Sequence, residues 1–344
     1  MNAPMNDPIN VLLLVNFSDE LVNKLKSVSP RLRIHRLPTR SPRDVPDSLW
    51  ATTEILYTAN VLPEPDVALR LRWVQLHFAG ADAVMDSPLL QNESVIVTSA
   101  SGVHASTMAE YSFAMILALA RKIPTMLRLQ KKAEWPENRF ELLMPTELRD
   151  ATLGIVGYGS IGRATARLAK AFGMTVLASK RDVMRPASAN EWEEIGVGDP
   201  DATCVDRLYP PEAIKSMLSE CDFVVVTVPL TPHTHKMINA DVLAAMKRTA
   251  YLINVGRGGV VDEPALVAAL QNGTIAGAAL DVFAQEPLPQ SSPLWGMENV
   301  IISPHLAGNH LRYNERAADL FAQNLERYLE KRDLLNRVSI TRGY

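Results

Sequence analysis

The sequence has 344 residues, 47% of them hydrophobic and 21% charged, with a formal net charge of -3. That length and apolar content call for two globular cores rather than one, and the mildly acidic balance excludes a bulk electrostatic attraction to nucleic acid or to an anionic membrane. Cys204 and Cys221 stand at no spacing that makes a metal site or a redox pair, so no metal is expected, and two unpaired thiols fit a reducing, cytoplasmic setting.

The opening "MNAPMNDPIN" lacks the cationic and apolar regions of a secretory signal, and the longest apolar stretch, "FAMILALA" (113–120), is too short to cross a bilayer. Four short apolar runs follow in the first hundred residues: "INVLLLV" (9–15), "TEILYT" (53–58), "RWVQL" (72–76) and "SVIVTS" (94–99). Runs of this length between turn formers read as buried parallel strands. "SDELVNKLKSV" reads as a helix with Ser18 as its N-cap. Next comes "HASTMAEYSFAMILALARKIP" (104–124), apolar around most of its circumference and expected to stop at Pro124.

A second alternating set runs through "TLGIVG" (152–157), "MTVLAS" (174–179), "DFVVVTVP" (222–229), "AYLINV" (250–255), "IAGAALDV" (275–282) and "NVIISP" (299–304). Helical patterns lie between most of them, including "DEPALVAALQNG" with Gly273 at its C-terminal end. The expectation is an α/β protein of two doubly wound parallel-sheet domains. Residues 1–101 form the first, completed by a closing helix over 309–344, and residues 102–308 form the second. The polar stretch 183–211 is expected to include a surface excursion of the second domain.

"GIVGYGSIG" places Gly157, Gly159 and Gly162 in G-x-G-x-x-G spacing between a strand and a helix, the context of a dinucleotide pyrophosphate site. The following strand ends in "LASKRD". A NAD site calls for an acidic side chain there, to accept from the ribose hydroxyls, whereas Ser179, Lys180 and Arg181 offer a hydroxyl and two cations that suit the 2'-phosphate of NADP. The alternative is a solvated loop, with Asp182 blunting the charge. Later strands end in Arg257, Glu286 and His305. Carboxyl ends of strands in a doubly wound sheet line one crevice, so these three converge beside the cofactor. Hydride transfer to a 2-oxo acid needs a cation for the carboxylate (Arg257), a proton donor for the developing alkoxide (His305) and an anion to stabilise the donor's imidazolium (Glu286).

With these motifs in order, together with "LRWVQLHFAGADAV", "VPLTPHTHKMIN", "GAALDVFAQEPLP" and "ISPHLAG", nearly the whole chain resembles the D-isomer-specific 2-hydroxyacid dehydrogenase family. The resemblance implies a flavodoxin-like substrate domain and a Rossmann cofactor domain, with Arg257, Glu286 and His305 as catalytic residues. It implies that Ser160 and Ile161 meet the pyrophosphate through their backbone. Pro229 and Thr234 would lie near the adenosine half and Asp281 near the nicotinamide amide, with His305 and Gly308 also binding the cofactor. The amides of Ala79 and Gly80 would hold the substrate carboxylate together with Arg257. Lys180 stands where NAD-using members usually carry Asp, which resembles the NADP-preferring glyoxylate/hydroxypyruvate reductases. Phe78 in the presumed substrate loop suits an apolar substituent. The expected partners are a small 2-oxo or 2-hydroxy acid, NADPH or NADP ahead of NAD, and a second copy of the chain. The expected homodimer packs on the 104–124 helix and its neighbourhood, with Trp135 reaching the partner's active site. Two alternatives stand beside the reductase reading: a NAD-dependent dehydrogenase working towards oxidation, and a non-catalytic nucleotide-sensing corepressor on the same fold.

Overall fold

In the computed structural model, each of the ten apolar runs contains one strand, trimmed at one or both ends in every case. The structure describes residues 7–91, 94–184 and 190–339. Residues 1–6 of the opening, 185–189 of the polar stretch and 340–344 of the expected closing helix lie outside the described residues. No helix among the described residues is long and apolar enough to cross a membrane.

Two compact units emerge. The first comprises the described residues of Met1–Val103, Ala189–Trp192 and His310–Tyr344. Its strands are β1 (Ile9–Leu13), β2 (Leu32–Arg36), β3 (Ile55–Thr58), β4 (Trp73–Leu76) and β5 (Ile96–Thr98). All pairings are parallel, in the order β2-β1-β3-β4-β5, the flavodoxin-like arrangement. At its centre Val11, Leu12 and Leu13 of β1 are 0% exposed, and each such side chain contributes about 1.5–3 kcal/mol by leaving water. Helix α1 (Asp19–Ser27) starts where Ser18 accepts from the Leu21 N–H, and α2 (Asp47–Thr52) follows.

The second unit comprises the described residues of His104–Ser188 and Glu193–Asn309. It opens with α3 (Ala105–Ala120), α4 (Ile123–Lys132) and α5 (Arg139–Leu142). Then come β6 (Thr152–Val156), α6 (Ser160–Ala171), β7 (Thr175–Ser179), β8 (Arg207–Tyr209), α7 (Ile214–Leu218) and β9 (Phe223–Val226). It closes with α8 (Ala240–Ala245), β10 (Tyr251–Asn254), α9 (Glu263–Gln271), β11 (Gly277–Leu280) and β12 (Val300–Ile302). The sheet is parallel throughout, in the order β12-β11-β10-β9-β6-β7-β8. Strand order therefore reverses between β6 and β9, where an open α/β sheet leaves its ligand crevice at the carboxyl ends. Behind that point Cys221 presses on Gly154 of β6: a Cβ there would lie 2.5 Å from the sulfur. Burial pushes the Cys221 thiol up to about 12, so it packs as an inert apolar group.

The last helix, α10 (Tyr313–Leu329), belongs to the first unit, where Ala318, Phe321 and Leu325 join the core around Val11 and Trp73. It is shorter than the pattern over 309–344 implies. Lys331 has φ 56°, and the chain after it runs back to β5, with the Val338 N–H on the Val97 carbonyl. Pro124 also acts differently from expectation. Helix α3 ends at Ala120, Lys122 takes a left-handed conformation, and Pro124 sits in the first turn of α4, where its missing N–H costs nothing. The stretch 183–211 does not belong to the second unit alone: Trp192, buried, is part of the first unit, while buried Asp199 and β8 are part of the second.

Candidate active site

The glycine loop joins β6 to α6. Gly157 has φ 107°, which a side chain would strain, and a Cβ on Gly162 would fall 2.2 Å from the Gly157 carbonyl oxygen, so helix and loop touch there. Gly159 differs: a Cβ on it would meet nothing within 4 Å. Its backbone faces open space at the start of α6, beside the amides of Ser160 and Ile161, which as first-turn groups have no intrahelical acceptor. That is a cradle of the kind a pyrophosphate fills.

The carbonyl of Ser179, the buried last residue of β7, accepts from the N–H groups of Gly157 at 3.2 Å and Tyr158 at 3.0 Å. Lys180 follows, half-buried, with its ammonium 3.3 Å from the Tyr158 carbonyl, and Arg181 is exposed beside it. Asp182 turns its carboxylate to the Met184 N–H at 3.1 Å, into its own turn. Across the sheet, after β9, Thr234 donates to the Pro229 carbonyl at 2.6 Å and accepts from the Thr231 N–H at 2.8 Å, closing a compact turn.

The ends of β10, β11 and β12 converge. The Asn254 side chain, 1% exposed, accepts from the Gly256 N–H and donates to the Arg257 carbonyl, both at 3.1 Å, and so shapes the turn that presents Arg257. A Cβ on Gly258 would come within 1.9 Å of the Phe283 carbonyl, so the loops after β10 and β11 meet in direct contact. Glu286 accepts from the Phe283 N–H at 3.0 Å through one oxygen and lies 2.7 Å from His305 Nδ1 through the other. His305 has φ 51° and is held by its N–H on the Asp281 carbonyl at 2.9 Å. Asp281, buried, accepts from Ser303 Oγ at 2.6 Å and from the N–H groups of Leu306 and Ala307 at 2.9 Å, so its carboxylate organises the loop carrying the histidine. Tyr111 of α3 extends the chain through a hydrogen bond to Ser303. Arg257, Glu286 and His305 line one cavity of about 470 Å³, with His235 and Lys236 adding basic side chains.

A family model for the NAD-binding domain of D-isomer specific 2-hydroxyacid dehydrogenases matches residues 113–307. A glyoxylate reductase of Korarchaeum cryptofilum is 39% identical over 261 residues, 76% of this chain and 74% of that protein. The chain belongs to the D-isomer specific 2-hydroxyacid dehydrogenase family. It is an NAD(P)-dependent oxidoreductase acting on CH–OH donors, which sets aside the corepressor alternative. Among solved structures, a family member from Xanthobacter autotrophicus Py2 in complex with NADPH and MES is 30% identical, with a TM-score of 0.78 over 98% of this chain and 100% of that one. The NADPH-dependent glyoxylate/hydroxypyruvate reductase of Sinorhizobium meliloti in complex with NADP and sulfate is 26% identical, with a TM-score of 0.74 over 98% and 100%.

In this dehydrogenase the first unit presents Phe78, Ala79 and Gly80 in the bend after β4, with Phe78 51% exposed. The bend is rooted by His77, whose carbonyl accepts from Tyr313 at 2.6 Å and whose ring meets Tyr57 OH at 2.9 Å. Burial holds the imidazole down to about 4, so it is neutral at working pH. Gly308 lies against His104 and Met108 within the second unit. Sequence reasoning missed Asn254, Lys236 and the loop-building part of Asp281. Asn254 did carry a signal, as a lone amide at the end of an otherwise apolar strand.

Proposed function

We propose that this enzyme reduces a small 2-oxo acid to the D-2-hydroxy acid, using NADPH in preference to NADH. The observation that carries the reaction is the 2.7 Å contact between Glu286 and His305 Nδ1 in a cavity that also holds Arg257. The dinucleotide, when bound, supplies the hydride. Arg257 pairs its guanidinium with the substrate carboxylate, assisted by the amides of Ala79 and Gly80. With Nδ1 turned to Glu286, Nε2 of His305 is the nitrogen that gives a proton to the carbonyl oxygen as it gains negative charge; Glu286 keeps the imidazolium oriented and balanced. One hydride on carbon and one proton on oxygen complete the alcohol. Ser160 and Ile161 would meet the pyrophosphate through their backbone where Gly159 leaves room, with Gly157 and Gly162 shaping the loop; Pro229 and Thr234 would lie on the adenosine side and Asp281 near the nicotinamide amide, with His305 and Gly308 also in the cofactor site.

Support for NADPH comes from the end of β7, where Ser179, Lys180 and Arg181 follow one another and Asp182 turns its carboxylate to the Met184 N–H. The test is initial rates with glyoxylate, hydroxypyruvate, pyruvate, phenylpyruvate and branched 2-oxo acids, each with both reduced cofactors. A higher kcat/KM with NADPH is expected for every acid turned over. A uniform preference for NADH overturns the cofactor assignment, and no turnover of any 2-oxo acid overturns the reaction.

The working form is proposed to be a homodimer. Eight of the sixteen residues of α3 are buried, so the apolar surface left for a second copy is mainly on and after α4: Ile123, Met126, Leu127, Trp135, Phe140, Leu142 and Met144 are exposed. A monomeric mass by light scattering at micromolar concentration contradicts this.

A further inference from the structure

In the excursion before β8, the described residues 193–206 have no role in the chemistry above, yet they are wired to the glycine loop. Asp199, 4% exposed, accepts from the hydroxyl of Tyr158, from the Thr203 N–H and hydroxyl at 2.9 Å, and from the Cys204 N–H at 2.9 Å. Burial alone pushes this carboxyl up, but the bonds from Tyr158, Cys204 and Thr203 outweigh it and hold the group below the usual carboxylate range. Asp199 is therefore ionised at neutral pH. Burial and the neighbouring carboxylate push the Tyr158 hydroxyl well up, so it remains a donor.

Tyr158 is the residue between Gly157 and Gly159, and its side chain is 1% exposed. Its N–H is on the Ser179 carbonyl at 3.0 Å, and its own carbonyl accepts from Lys180. A second anchor lies just beyond the loop. Arg163, in the first turn of α6 and 0% exposed, pairs with Glu193 of the excursion, and Arg167 reaches the Gly198 carbonyl at 3.4 Å. The Gly159 and Ser160 amides thus lie between two fastenings, Tyr158 to Asp199 and Arg163 to Glu193.

We propose that the excursion braces the dinucleotide loop, with Asp199 acting through Tyr158 as a positioning pair that keeps the loop amides aimed at the pyrophosphate of NADPH and NADH alike. A loop fixed before binding gives up less freedom when the ligand arrives, which appears as affinity for the part the two cofactors share. The proposal rests on dinucleotide binding by this loop and not on the assignment of Lys180 and Arg181 to the 2'-phosphate.

Tyr158→Phe removes one oxygen and keeps the ring in place. Its Kd for NADPH and for NADH, by fluorescence titration, should rise by the same factor, about 5- to 20-fold. KM for the cofactor should rise with it, while kcat at saturating cofactor stays within twofold. Asp199→Asn, which keeps an acceptor but loses the charge, should move both constants in the same direction by less. An altered NADPH to NADH ratio in Tyr158→Phe contradicts the brace, whereas a ratio altered only by changes at Lys180 and Arg181 tests the cofactor assignment separately. A readout free of variants is amide exchange in wild type: saturating NADPH should slow exchange at Thr203 and Cys204. Folded Tyr158→Phe that binds both cofactors within twofold of wild type, whether or not it melts earlier, overturns the proposal; so does exchange at Thr203 and Cys204 that ignores NADPH.

Discussion

Each unit carries a histidine just past the end of a parallel strand, and the two are treated in opposite ways. His77, after β4, is enclosed by Phe17, Tyr57, Phe78 and Tyr313, and burial keeps it neutral. His305, two residues beyond the β12 loop's Ser303, leaves 49% of its side chain exposed and meets a carboxylate instead of a phenol. The same architecture therefore produces a scaffold residue in one unit and a candidate proton donor in the other. What separates them is the partner and the access, and neither is set by position along the strand.

The largest effect that tests this contrast is at His305. His305→Gln should lower kcat about 10²- to 10⁴-fold while NADPH still binds, because only the proton donor is lost. His77→Gln should leave kcat within a few-fold, and equal losses at both positions would break the comparison. Glu286→Gln should fall between them, since the amide still contacts Nδ1 but no longer balances the imidazolium; steady-state rates at saturating substrate read all three.

A smaller effect belongs to the second unit alone. Lys180→Ala with Arg181→Ala should lower kcat/KM for NADPH by roughly 10- to 1000-fold, two charge-assisted contacts of about 1.5–3 kcal/mol each discounted for solvent. NADH should change little. Equal losses with both cofactors would return these cations to a solvated loop.

The smallest is a pH effect on stability from the first unit. Unfolded His77 takes up a proton below about pH 6.5, while the folded group stays neutral to about 4. Its contribution is complete above pH 6.5 and is lost as pH falls towards 4, by about 2–3 kcal/mol. Urea midpoints of wild type and His77→Gln at pH 7 and pH 4.5 should show the steeper decline in wild type. Parallel declines would mean that His77 protonates in the folded state.

The sequence was most legible where strands lie inside a sheet. All ten apolar runs contain strands, and among the described residues the two strands without such a run, β2 and β8, are both at sheet edges. In β2 "LRIHR" only Leu32 is buried, and β8 is three residues long and followed by Pro210, so neither leaves a continuous apolar signature. Pro124 misled because a proline that cannot continue one helix is equally suited to begin the next. In the site, residues placed by strand ends and glycines could be ordered from the sequence, and Glu286 and His305 stand in contact. Partners brought together across long separations could not be: Tyr158 and Asp199 are 41 residues apart, with β7 between them. Nor does the sequence reveal that Asp281 spends its oxygens on Ser303, Leu306 and Ala307.

The close fit of Cys221 against Gly154 has a kinetic meaning. A thiol reacts as its thiolate, and this one, pushed up to about 12 and seated between β6 and the chain leading into β9, is silent until the middle of the seven-stranded sheet opens. Cys204, half-buried within the excursion, needs only a local opening to be reached. Alkylation of the two thiols is therefore expected on two clocks, a fast one for Cys204 and a slow one for Cys221, set by the parting of the sheet that carries the glycine loop.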